Sequence, residues 1–130
     1  MSLRLSVLLY DDDADMRELV PRVLRKQYDV ITQSRLQDVV AEVRHLKPDL
    51  ILMDYYMHTS DSSAVIRKLK SDPATVHIPI ILFSSHKHGD RLANELPVDG
   101  FLPKPFSLNT IRTCVAEVLD RMAVPVNQPR

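Results

Sequence analysis

Short apolar runs of strand length recur along this chain, and between them the hydrophobic period changes to that of a helix. The runs are LSVLLY (5–10), DVIT (29–32), DLILM (49–53), IPIILF (78–83) and the shorter GFL (100–102). Several have no alternating polarity, the pattern of strands covered on both faces in a parallel sheet. Met16, Leu19, Val20, Val23 and Leu24 follow the spacing of an amphipathic helix. So do Leu36, Val39, Val40, Val43 and Leu46, and then Ile111, Val115, Val118, Leu119 and Met122. SSAVIRKLK (62–70) and GDRLANEL (89–96) fit weaker helices. Five βα units in series leave few architectures open, and they predict an α/β sandwich around a central parallel sheet with right-handed crossovers. Pro21 falls inside the first helical pattern, where it removes a backbone donor, so a kink or a locally opened helix is expected there.

Length and charge narrow the class further. The 130 residues suffice for one domain with a single core, and 45% hydrophobic with 26% charged residues is a globular composition. Seventeen basic residues against seventeen acidic ones give no overall pull towards nucleic acid or an anionic membrane. No apolar run approaches spanning length, and the single cysteine, Cys114, suits a reducing cytoplasm and the place of a small buried hydrophobe. The segment VPVNQPR (124–130), with two prolines, reads as a frayed end or the start of a linker. A domain over 1–124 with a tail at 125–130 is therefore expected.

Within such a fold the run LLYDDDAD (8–15) needs a reason, because Asp11, Asp12 and Asp13 repel one another and aspartate is a poor strand residue. Ligands of open α/β sheets sit outside the carboxyl ends of the strands. Asp11 and Asp12 end the first strand and Asp54 ends the third, so the three converge if those strands are neighbours. Three such carboxylates call for a hard divalent cation, with Mg²⁺ the usual candidate. Ser84 follows the fourth strand in FSSHKHG, and Lys104 follows the fifth in FLPKPF. A carboxylate, a cation site, a hydroxyl and an ammonium on one rim suit phosphoryl transfer to Asp54. With only Gly89 and Gly100 in the chain, a glycine-rich nucleotide loop is excluded. The histidines at 45, 58, 77, 86 and 88 show no paired ligand spacing on one helix.

Over residues 3–122, with LLYDDDADMREL, PDLILMD, IPIILFSS and FLPKPF in order, the chain resembles the response-regulator receiver domain of two-component signalling. The resemblance implies a flavodoxin-like (βα)5 fold, Asp54 as the phosphoacceptor, and Asp11 and Asp12 as the acidic metal-binding pair. It further implies the Tyr56 carbonyl as a metal ligand, Ser84 as the switch hydroxyl, Lys104 as the family's lysine, and a cis Lys104–Pro105 bond. Asp13 matches no ligand and is expected to cap the first helix. A sensor histidine kinase or phosphotransfer protein would be the donor, and a downstream protein the target. Dimerisation on phosphorylation is left open, and neither nucleic-acid nor membrane contact is expected of this domain. Such a domain promotes its own phosphorylation and dephosphorylation without being a dedicated enzyme. The switching face would be that of the fourth helix, fifth strand and fifth helix, around 88–95 and Phe101.

The chain also departs from the family. His58 and Ser62 stand where a proline and a glycine are usual in the loop after Asp54, and Phe101 stands where many members have tyrosine. Tyr56 and His86 occupy positions that tune phosphoryl lifetime in the family, and a ring at Tyr56 should shield the acyl phosphate from water. A phosphorylation-independent interaction module is the alternative that the altered loop raises. A small flavin protein would need a phosphate cradle, which the acidic rim opposes.

Overall fold

The computed structural model describes residues 4–57, 60–85 and 89–127. The elements in chain order are β1 (Ser6–Tyr10), α1 (Ala14–Leu24), β2 (Asp29–Gln33), α2 (Val39–Leu46), β3 (Leu50–Asp54), β4 (Tyr56–Met57), β5 (Ser60–Asp61), α3 (Ser63–Ser71), β6 (Ile80–Ser84), α4 (Gly89–Glu95), β7 (Gly100–Pro103) and α5 (Leu108–Asn127). The five apolar runs form one parallel sheet ordered β2-β1-β3-β6-β7. β3 and β6 are buried at every position, as their unbroken hydrophobicity requires, whereas β2, at an edge, keeps exposed residues.

Strand side chains alternate between the two faces of the sheet, and each face carries its own core. Val7, Leu9, Leu50, Leu52, Ile81 and Phe83 pack with Val20, Val23 and Leu24 of α1 and with Ile111, Val115 and Val118 of α5. Leu8, Tyr10, Ile51, Met53, Ile80 and Leu82 pack with Val39 and Val43 of α2 and with Ile66 and Leu69 of α3. The result is the expected three-layer (βα)5 sandwich. Gly100 lets β7 and α5 approach closely, since a Cβ there would lie 3.1 Å from Val118 Cγ2 and 3.2 Å from Ile81 Cγ1.

Several local expectations need correction. The second helix begins at Val39, so Leu36 precedes it; Asp38, at φ 50° in the left-handed region, interrupts the helical geometry, though Leu36 still packs against the second core. Leu19 and Met122, which share the apolar spacing of their helices, are each 39% exposed. Of the two outcomes expected at Pro21, a locally opened helix does not occur, since Pro21 lies inside the continuous α1 and its carbonyl accepts from Arg25 N at 2.8 Å. α5 runs from Leu108 to Asn127. Cys114 is half-buried, and burial raises its thiol pKa. The antiparallel β4–β5 ladder, pairing Tyr56 with Asp61 and Met57 with Ser60, was not foreseen. The expectations on His58, on His86 and on residue 88 of the switching face lie outside the described residues.

Candidate functional site

Parallel pairing of β1 with β3, in the register Tyr10↔Met53, brings their carboxyl ends side by side. The three consecutive aspartates then separate into three tasks. Asp13 Oδ1 accepts from Asp15 N at 2.9 Å and caps α1, as expected. Asp11 is fully buried; its Oδ1 accepts from Asp13 N at 2.9 Å, while its carbonyl accepts from Arg17 at 3.1 Å. Asp12 stays half-buried on the rim. One carboxylate oxygen from each of Asp11, Asp12 and Asp54 lies within 4.8 Å of the other two.

β7 supplies the counter-charge. Lys104 N donates to the Ser84 carbonyl at 2.9 Å, which extends the β6–β7 pairing beyond its last strand partners, Ser84 and Pro103. The Lys104–Pro105 bond is cis, as the resemblance implied. Lys104 Nζ donates to Asp54 Oδ2 at 3.2 Å, lies 3.7 Å from Asp11 Oδ2 and sits 5.1 Å from the centre of the Phe83 ring. The sequence-selected residues Asp11, Asp12, Asp54 and Lys104 thus meet at one point. Ser84 is buried at the end of the adjacent strand, and Tyr56, 50% exposed, follows the site in β4 with its ring edge-on to Tyr55 at 4.7 Å. Phe101 lies on β7 opposite Leu82, half-buried against the second core.

The electrostatics are unbalanced. Burial raises the Asp54 carboxyl pKa to about 7; the Asp11 charge adds to the rise and Lys104 opposes it. Asp11 is likewise raised by burial, against the Asp13 amide and Lys104. Asp11 Oδ2 is buried and, among the described residues, accepts no hydrogen bond. Once all three are ionised, three carboxylates against one ammonium leave two negative charges, which a single dication would neutralise. The all-oxygen donor set and the orphaned Oδ2 fit such an ion.

Ser62 was noted in the sequence only as a departure, yet it is fully buried and touches the site's backbone. Its hydroxyl donates to the Asp54 carbonyl at 2.8 Å and lies 3.0 Å from the Tyr55 carbonyl. A single sequence carries no signal for this contact, because the partner of a serine hydroxyl is set by tertiary packing.

The model of the family described as the response regulator receiver domain matches residues 7–116. The chain is 32% identical over 119 residues to the phosphate regulon transcriptional regulatory protein PhoB of Pseudomonas aeruginosa, covering 89% of this chain and 52% of that protein. It is 25% identical over 114 residues to the chemotaxis protein CheY of Halobacterium salinarum, covering 87% of this chain and 95% of CheY. The chain therefore spans about half the length of PhoB and nearly all of CheY. In fold it matches a receiver domain from Methanospirillum hungatei with a TM-score of 0.83 at 15% identity, covering 94% of this chain and 98% of the other. Among the described residues no helix is long and apolar enough to cross a membrane. With this fold, these rim residues and that family match, the chain belongs to the response regulator receiver domain family of two-component signalling.

Proposed function

We propose that this domain accepts a phosphoryl group from a phosphohistidine onto Asp54, using Mg²⁺, and that the modification shifts its α4–β7–α5 surface. The observation that carries the reading is Lys104 Nζ at 3.2 Å from an Asp54 oxygen, beside three carboxylates whose oxygens lie within 4.8 Å of one another. Asp11, Asp12, Asp54 and the Tyr56 carbonyl would hold the ion. When bound, Mg²⁺ neutralises charge on the transferring oxygens and on the carboxylates. Asp54 supplies the nucleophilic oxygen: an O–P bond forms, the donor N–P bond breaks, and its electron pair stays on the imidazole. Lys104, within reach of Asp54, stabilises the anionic phosphoryl oxygens. The Ser84 hydroxyl would follow the phosphoryl group, and Phe101 would answer by packing, because it has no hydroxyl.

The donor is a histidine kinase or phosphotransfer protein and the target a downstream protein, in a cytoplasmic setting where both nucleotide and Mg²⁺ are available. We take 1–124 as the receiver unit, with 125–130 leading out of it. The departures at His58 and Ser62 raised a phosphorylation-independent module as the alternative. The bonds of Ser62 to the end of β3 argue that the substituted loop still holds its start in place.

Intact-mass measurement after treatment with acetyl phosphate tests the reading. One phosphoryl adduct is expected, requiring Mg²⁺ and lost in Asp54→Ala. No adduct on the wild-type chain at saturating Mg²⁺, by this donor or a phosphohistidine protein, would leave the interaction module as the better account.

A further inference from the structure

We infer that Ser62 is a positioning residue for the acceptor site: its hydroxyl clasps the chain where it leaves β3 and so sets the affinity for the divalent ion. The inference rests on the reading of the site given above. Ser62 precedes α3, and a serine there ordinarily turns its hydroxyl onto the first free amides of the helix. Here it makes no such cap bond. Asp61 takes over that task, accepting from Ser63 N at 2.9 Å.

The Ser62 hydroxyl is thereby released to the opposite side. It reaches the Asp54 carbonyl at 2.8 Å and the Tyr55 carbonyl at 3.0 Å, while Ser62 N donates to the same Tyr55 carbonyl at 2.8 Å. A hydroxyl has one proton, so the two carbonyls share it or take it in turn. Either way, two successive peptide planes are drawn towards one fully buried atom. Those planes join Asp54 to Tyr55 and Tyr55 to Tyr56. They fix the backbone that carries the Asp54 carboxylate and that leads into the Tyr56 carbonyl. Groups that orient a ligand without touching the ion commonly change metal affinity by about ten- to a hundredfold when removed.

Calorimetric Mg²⁺ titration of the intact chain provides the test, alongside phosphorylation rates as a function of Mg²⁺ and the melting temperature in chelator. Ser62→Ala and Ser62→Gly are expected to weaken Mg²⁺ binding about tenfold, at the lower end of that range. Phosphorylation should slow at low Mg²⁺ and return towards the wild-type rate at saturation. Ser62→Thr, which retains the hydroxyl, should restore most of the affinity. A purely structural serine would lower the melting temperature and leave Mg²⁺ affinity unchanged; that result in both Ala and Gly variants overturns the inference. So does a folded Thr variant as weak as Ala. If the wild-type chain itself neither binds Mg²⁺ nor takes up phosphoryl, the proposed function has failed, and that is seen before any Ser62 variant is made.

Discussion

Replacing Asp54 by asparagine should stabilise the metal-free domain above neutral pH, although the substitution removes a salt bridge. The Asp54 carboxyl is raised from 3.8 to about 7, first by burial and then by the Asp11 charge. A folded-state pKa above the unfolded value means that the native state holds its proton more tightly, so stability falls as pH rises from about 4 to 7. At about 1.4 kcal/mol for each tenfold change in the proton equilibrium, the rise from 3.8 to about 7 sets an upper limit of about 4 kcal/mol on the cost of ionising the group in the fold. The attraction of Lys104 is already contained in that net rise, and relaxation and solvent screening around the charge bring the real cost below the limit. The expected net gain at pH 8 is about 1–2 kcal/mol, or roughly 4–8 °C in melting temperature. Thermal melts in chelator at pH 5, 6.5 and 8 read it directly: the gain should be largest at pH 8 and mostly gone by pH 5. With Mg²⁺ in excess the gap should narrow, because the ion stabilises the carboxylate and binds the asparagine site less well. An Asp54→Asn domain no more stable than wild type at pH 8, or a gain equal at all three pH values, would refute the charge-imbalance account.

Two further outcomes test other parts of the structure. Tyr56→Asn should shorten the phosphorylated lifetime roughly three- to tenfold, a barrier change of about 1 kcal/mol, as loss of the exposed ring opens the approach of water. Autodephosphorylation followed by mass checks it, and an equal or slower loss counts against shielding. Gly100→Ala should cost about 1–3 kcal/mol, because the added methyl meets Val118 and Ile81 at 3.1 and 3.2 Å, and urea unfolding measures it.

The layering of the molecule was legible because hydrophobic period is a local property. β3 and β6 announce themselves as unbroken apolar runs, and Asp54 could be placed at a strand end before any contact was known. The convergence of Asp11, Asp12 and Asp54 followed from one assumption about strand order, which the β1–β3 pairing bears out. Other details depend on what packs above a residue. Leu19 shares the apolar spacing of its neighbours, yet it is 39% exposed. Leu36 fits the helical period, but Asp38 in left-handed geometry starts the helix later. The clasp at Ser62 depends on a bond across eight positions, for which serine gives no direction in advance.

The lysine that balances the carboxylates lies fifty positions downstream of Asp54, just past the end of β7 at the edge of the sheet. During synthesis, therefore, the acidic ends of β1 and β3 exist for some time without their ammonium. A nascent chain that docked these two strands early would bring uncompensated anions together. Final closure of the domain should thus wait for the last strand to add on, or be hastened by the dication standing in for it.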